Sequence, residues 1–312
     1  MLNTPLVSVI MSVKNETLLL EEAVADILRQ SYTHFELLII DDGSDVPVEE
    51  TLSCSKHDQI TIYRNSESIG QAASRNAAFG KAKGAFIAIA DADDRYHPKR
   101  IEKQVSFLQA NPQIHLCGTH FDTLPEGKSW PIFSKPTHIR AAFVINNPIV
   151  HSAVMFRSSL LNQGFYYDTA YNTAEDYELF SRFRNQLHYA NLNDKLVTYR
   201  ISERTGAAGP QFDLAAKIRA QVIQEEQLED CEKELQQLAA FLPGFVPSTD
   251  SELLLFRTQK PPKALYTIVY SQYLQYTQKF RIKPNFRMLL KALYYAELSL
   301  KAKFKLLIKY SI

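Results

Sequence analysis

Short apolar runs that stop abruptly on polar or acidic residues set the rhythm of the first 120 residues. Val7 to Met11 is β-branched and apolar and predicts a first strand, with Lys14-Asn15-Glu16 as the loop at its end. Leu19, Leu20, Ala23, Val24, Ile27 and Leu28 then recur at helical spacing as far as Gln30-Ser31-Tyr32, with Glu21 and Glu22 in the first turns. Phe35 to Ile40 predicts a second strand and runs into Asp41-Asp42-Gly43-Ser44; Ile60 to Tyr63 predicts a third. A helix over Ala72 to Ala82 follows Gly70 and carries Arg75 and Asn76 in its first turns. The run Phe86-Ile87-Ala88-Ile89-Ala90 ends on Asp91, Asp93 and Asp94. Strand and helix alternate through to Gln113–Cys117, which predicts an α/β fold with a largely parallel sheet.

Beyond residue 120 the alternation fades. Pro- and Gly-punctuated segments, Leu124-Pro125-Glu126-Gly127 and Ser134-Lys135-Pro136, precede a short helical stretch over 139–145. A strand is predicted at Ser152–Phe156, a helix at Ala174–Phe183 and a last strand at Lys195–Arg200. A long Gln/Glu-rich amphipathic helix from Gln211 to Phe241 is stopped by Pro243-Gly244, and past Pro261-Pro262 the pattern is helical.

Composition narrows the class. The 312 residues, 46% hydrophobic and 22% charged, suit one large globular domain or two modest ones and exclude a disordered or fibrous chain. No apolar run approaches the roughly 18 residues that cross a bilayer, and no basic flank or cleavage site marks an export signal. Cys54, Cys117 and Cys231 are odd in number and far apart, which suits a reducing compartment without a disulfide framework or zinc site. The expected setting is cytoplasmic. A net charge of +1 hides an asymmetry: from Arg257 onward, 12 Lys and Arg face the single acid Glu297, giving +11 there and −10 in residues 1–256.

The acids carry the chemistry. Asp91, Asp93 and Asp94 sit where a buried strand emerges from an α/β sheet, the edge at which open sheets bind ligands. Packed carboxylates repel, and a hard divalent cation such as Mn²⁺ or Mg²⁺, held against substrate phosphates, relieves that repulsion. The same residues also suit a turn, with Asp93 or Asp94 capping a helix begun by His97-Pro98-Lys99-Arg100. The Asp41-Asp42 end of a second strand should fall on the same sheet edge, a coincidence that a turn alone does not explain. His151 and His97 read as structural or exposed residues, although His151 also suits an acceptor pocket; Trp130, in the irregular region, suits stacking on an acceptor sugar.

Taken in order, Val7-Ser8-Val9-Ile10-Met11-Ser12-Val13-Lys14-Asn15-Glu16, Phe35–Ser44, Gly70 with Ser74-Arg75-Asn76, Ile89–Asp94 and Ala174-Glu175-Asp176-Tyr177 resemble family 2 glycosyltransferases over roughly residues 6–205. The resemblance implies a GT-A (Rossmann-like) fold: a mixed, largely parallel sheet with flanking helices, here followed by a mostly helical C-terminal region. It implies an inverting transferase that uses a nucleotide-diphosphate sugar and Mn²⁺ or Mg²⁺. Ser12 and Lys14 would then cradle the base, Asp42 would meet the uracil edge of a UDP-sugar, and Arg75 would contact the donor or its diphosphate. Asp91 and Asp93 would form the Asp-x-Asp pair, with Asp93 the direct metal ligand and Asp91 turned toward the ribose or sugar, and Asp176 would be the catalytic base. Many family members have Pro at position 12 and an aromatic at position 14; Lys14 cannot stack on a base as a tyrosine would. The expected organisation is a nucleotide-sugar-binding half at 1–120, an acceptor-binding half at 121–209 and a basic helical extension at 210–312.

In that extension Leu289, Leu293, Ala296, Leu300, Phe304 and Leu307 share one helical stripe, with Lys291, Lys301, Lys305 and Lys309 opposite. Such a helix suits the anionic inner face of a cell membrane, or packing on the body of the protein, better than nucleic acid. The expected partners are therefore a sugar-nucleotide donor, a glycan or lipid-linked acceptor and a membrane surface. The rival readings are a degenerate family member that binds nucleotide sugars without turnover, and a sugar nucleotidyltransferase or dinucleotide oxidoreductase. The last two want a glycine-rich loop where Ser12-Val13-Lys14-Asn15 has none.

Overall fold

Parallel strands covered on both faces need continuous apolar runs, and the strand at Val7–Val13 (β1) is buried along its whole length. The computed structural model describes residues 4–125, 133–144, 146–201 and 210–226. Around β1 lie β2 (Phe35–Asp41), β3 (Ile60–Arg64), β4 (Phe86–Asp91), β5 (Arg95–Tyr96), β6 (Leu116–Leu124), β7 (Met155–Arg157) and β8 (Tyr189–Arg200). They form one sheet in the order β3-β2-β1-β4-β7-β6-β8-β5. The first four are mutually parallel; β7 runs antiparallel between β4 and β6, β8 is parallel to β6, and β5 closes the far edge antiparallel to β8.

The helices are α1 (Leu18–Leu28), α2 (Val48–Thr51), α3 (Gln71–Phe79), α4 (Arg100–Ala110), α5 (Pro136–Ala142), α6 (Glu175–Phe183) and α7 (Pro210–Glu225). The apolar face of α1, with Leu20, Ala23, Val24 and Ile27, joins β1, β2 and β4 in one buried core. The chain divides into two compact units, Met1–Pro136 with Asn147–Ile218, and Thr137–Asn146 with Arg219–Ile312. The first holds the sheet and all the residues considered below. In the second, Arg140 pairs with Glu226 at 3.2 Å.

Register settles the acid placement. Ser12 of β1 lies opposite Ile40 on one side and Asp91 on the other, and Val13 lies opposite Asp41. With strands about 4.8 Å apart, both acid pairs emerge at one sheet edge, flanking the end of β1. Other expectations shift. Helix α3 stops at Phe79 before Gly80; the strand expected at 152–156 is a short 3₁₀ turn, His151–Ala153, followed by β7. Neither Asp93 nor Asp94 caps α4: the Ile101 N–H is capped from across the molecule by Gln30 Oε1 at 3.0 Å. Asp94 is unavailable because it is buried on other partners. The basic tail, the expected helix beyond residue 226, Trp130 and Cys231 lie outside the described residues. Among the described residues no helix is long and apolar enough to cross a membrane.

Candidate active site

Asp42 is where the loop after β2 is anchored. Its carboxylate, 2% exposed, accepts five hydrogen bonds at 2.8–3.0 Å: from Asn65 Nδ2, Ile69 N and Ser74 Oγ on Oδ1, and from Ser68 Oγ and Gly70 N on Oδ2. Burial alone would raise its pKa; these bonds outweigh it and bring it from 3.8 down to about 2. The close approach demands glycine at two places. Gly43 sits at φ 68°, where a Cβ would come within 2.7 Å of Ser68 N, and Gly70 sits at φ 89°. Asp42, which the resemblance assigns to a uracil edge, meets five donors of the protein's own chain. Asp42 therefore shapes the 65–74 segment. Asp41 does similar work nearby, accepting from Ser44 N, Val48 N and Arg64.

At the end of β1, Ser12 is 6% exposed and its Oγ has no hydrogen-bond partner, while Lys14 beyond it is exposed. A buried hydroxyl without a partner is costly unless something completes it, and here it lies beside the Asp91 end of β4. Asn15 (φ 53°) ties this loop to the next through Asn15 N–Ser44 Oγ and two side-chain bonds to Asp45.

Arg75 stands between two acids. It is 2% exposed, and its guanidinium donates from Nη2 to Asp91 Oδ1 (2.9 Å) and Gln71 Oε1 (3.0 Å) and from Nη1 to Glu175 Oε1 (2.8 Å). It thereby bridges the end of β4 to the start of α6. Its neighbour Asn76 makes paired bonds to the backbone N and O of Tyr167, so two consecutive residues of α3 fasten the later half of the sequence to the earlier one. Burial would raise the Asp91 carboxyl, but the charges of His151 and Arg75 hold it well below the usual carboxylate range. Burial raises Glu175, with Arg75 pulling against it. His151 Nδ1 lies 3.4 Å from Asp91 Oδ2, and its Nε2 lies 2.9 Å from the Tyr167 hydroxyl.

Asp176 follows Glu175 in the first turn of α6, where a helix N-terminus favours negative charge. Its Oδ2 accepts from Asn147 Nδ2 at 2.8 Å. The Arg75 bridge therefore brings Asp176 to the same edge as Asp91 and Asp93. Asp93 is half-buried in the turn between β4 and β5. Asp94, 1% exposed, accepts from Ser152 Oγ and from Arg200 N (2.7 Å); burial and then the Asp91 charge push its pKa up to about 8, against those two bonds.

Among the described residues no three His, Cys, Asp or Glu side chains are grouped as a protein-only metal cage. Mg²⁺ and Mn²⁺ prefer hard carboxylate oxygens together with substrate phosphates, and the Asp91-Ala92-Asp93 turn supplies carboxylates of that chemistry. Asp93 and Asp91 carry the carboxylate oxygens at this strand end, and those of Asp91 meet Arg75 and His151. Sequence reasoning missed Glu175, Asn147, Tyr167, Ser152 and Arg200. Only Glu175, an acid beside the chosen Asp176, gave a local signal.

Solved structures share this architecture. S. aureus TarS in complex with UDP-GlcNAc aligns with a TM-score of 0.59 at 15% identity, covering 93% of this chain and 79% of that one. Mannosyltransferase PcManGT from Pyrobaculum calidifontis, in complex with GDP-Man and Mn²⁺, aligns with a TM-score of 0.55 at 17% identity, covering 93% and 86%. The fold is thus that of the GT-A glycosyltransferases. Residues 8–165 match glycosyl transferase family 2, and the chain belongs to that family. An uncharacterized glycosyltransferase of Haemophilus influenzae is 30% identical over 214 residues, 64% of this chain and 66% of that protein. The O-antigen biosynthesis glycosyltransferase WbnJ of Escherichia coli is 30% identical over 212 residues, 64% of this chain and 81% of that protein. The match to the first of these spans about two thirds of its length.

Proposed function

We propose that this protein moves a sugar from a nucleotide-diphosphate sugar, a UDP-sugar in the first instance, to a hydroxyl of a glycan or lipid-linked acceptor, inverting the anomeric centre. The observation that carries the reading is the Arg75 bridge, which puts the acid end of β4 and the Asp176 end of α6 on one sheet edge. WbnJ, named for O-antigen biosynthesis, supports a cell-surface glycan as the product.

The leaving group gathers negative charge as its bond to the sugar breaks. Asp93, with Asp91 beside it, would hold the divalent cation, which supplies Lewis-acid stabilisation of that charge. Asp176 takes the proton of the acceptor hydroxyl while that oxygen bonds to the anomeric carbon; the carbon–diphosphate bond breaks on the opposite face and the nucleoside diphosphate leaves. Asn147, donating to Asp176 Oδ2, fixes the carboxylate for this role. Ser12 and Lys14 meet the base at the end of β1, with Asp42 holding the 65–74 segment behind them. Arg75 serves by locking Asp91 and Glu175 rather than by touching phosphate. In this reading the basic segment from Arg257 onward is what would hold the enzyme at an anionic membrane surface.

Transfer and hydrolysis over a panel of UDP- and GDP-sugars with Mn²⁺ test the reading. Turnover of at least one donor that is lost in Asp93→Ala is expected. Tight donor binding without any turnover would instead identify a degenerate, non-catalytic member, and unchanged turnover in Asp93→Ala would remove the metal role.

A further inference from the structure

The turn that carries Asp93 is shaped by chain segments distant in sequence. Ser152 donates to the Asp94 carboxylate from one side. From the other, Arg200 at the end of β8 makes three bonds of different kinds. Its backbone N–H donates to Asp94 Oδ1 at 2.7 Å, its Nε to the Asp93 carbonyl at 2.8 Å, and its Nη2 to Glu22 Oε2 on α1 at 3.1 Å. One residue thus holds the backbone of Asp93 and the carboxylate of its neighbour, and is itself aimed by an acid on a separate helix. The same Glu22 oxygen takes Arg95 Nη1 at 3.1 Å, so Glu22 is shared between the start of β5 and the end of β8.

The guanidinium plane makes this arrangement directional. With Nη2 on Glu22, the rigid fork fixes where Nε points, a constraint that a lysine ammonium does not reproduce. The Arg200 side chain is 23% exposed and that of Glu22 47%, and an ion pair at that exposure contributes little to stability. A merely structural reading therefore predicts small effects of its loss on any property.

We propose that Arg200 is a positioning residue for the reaction: through the Asp93 backbone and the Asp94 carboxylate it sets where the Asp93 carboxylate meets the donor's diphosphate and its cation, and Glu22 sets Arg200. The inference rests on the glycosyl-transfer reading. Groups that orient metal ligands from behind typically change metal affinity or activity by about 10- to 100-fold when lost.

Arg200→Lys, Glu22→Gln and the double variant test it. The readouts are calorimetric titration with UDP or GDP in the presence of Mn²⁺, donor KM and kcat, and thermal midpoint. Arg200→Lys keeps the backbone bond to Asp94 and is expected to weaken nucleotide binding about tenfold and raise donor KM in step. Its kcat at saturating donor should stay within about threefold and its midpoint within a few degrees of wild type. Glu22→Gln should shift affinity about threefold in the same direction, and the double variant should bind no more weakly than Arg200→Lys alone, because both act through one guanidinium. Wild-type affinity in Arg200→Lys, or strictly additive effects, overturns the inference. If Arg200→Lys fails to fold, Glu22→Gln decides: unchanged affinity there overturns it. Wild-type protein that binds neither nucleotide overturns the transferase reading itself, and this inference with it; binding by wild type with unaffected variants overturns the inference alone.

Discussion

Replacing Asp42 by Asn tests whether this carboxylate is the anchor of the 65–74 segment. The amide oxygen can keep the bonds on one side, from Asn65, Ile69 and Ser74, while the amide NH₂ then faces Ser68 Oγ and Gly70 N. The Ser68 hydroxyl can rotate and accept; the Gly70 N–H cannot. One buried backbone donor is stranded at a cost of about 1–3 kcal/mol, and the remaining bonds lose their charge assistance. A total near 3 kcal/mol is expected at pH 7, read as a lower urea midpoint at unchanged slope. A second arm uses pH. Because the folded-state pKa is depressed from 3.8 to about 2, the stabilisation from ionised Asp42 is fully present above pH 4 and is lost as pH falls through 2. At about 1.4 kcal/mol per pKa unit this amounts to about 2 kcal/mol. Other carboxyls contribute equally to both proteins, so the gap between wild type and Asp42→Asn should narrow by that amount between pH 5 and pH 2 and below. A variant within 0.5 kcal/mol of wild type at pH 7, the usual scatter of a neutral surface change, or a gap that ignores pH would refute the anchor.

Removing the Arg75 charge should be severe: Arg75→Met leaves the buried Glu175 and the partly buried Asp91 without their shared cation, costing about 3 kcal/mol by calorimetry or urea unfolding, whereas Arg75→Lys keeps a charge but not the fork and should fall between. Gly118→Ala would place a Cβ 2.2 Å from Asn191 Oδ1, and Asn191 Nδ2 holds the Phe133 and Pro148 carbonyls; a loss of about 1–3 kcal/mol is expected in unfolding experiments. The basic segment should bring the 312-residue chain down with phosphatidylglycerol vesicles and not with phosphatidylcholine vesicles, with release in 0.5 M salt, a concentration at which the Debye length is only about 4 Å.

The strands β1 to β4 were legible because buried parallel strands are written as uninterrupted apolar runs, and their Asp endings followed from β1 lying between β2 and β4. The long strand β8 was half hidden: Asn193, Asp194 and Lys195 interrupt its apolar pattern because they face solvent, and Asn191 interrupts it because its buried amide holds the Phe133 and Pro148 carbonyls. Asp94 looked like a helix cap because local spacing cannot reveal Ser152 and Arg200, which arrive from 58 and 106 residues away. Arg75 illustrates the same limit. Its helix position was predicted well, but whether a guanidinium faces a ligand or two internal acids depends on which segments fold over it, and Glu175 is 100 residues distant.

A single-turnover comparison of wild type with Asp176→Asn, using the donor that the wild type accepts, bears most directly on the claim that one sheet edge gathers the donor and the base. The donor dissociation constant should stay within about twofold while the transfer rate falls by about 10²- to 10⁴-fold, the worth of a general base. Transfer at the wild-type rate in Asp176→Asn would contradict the account.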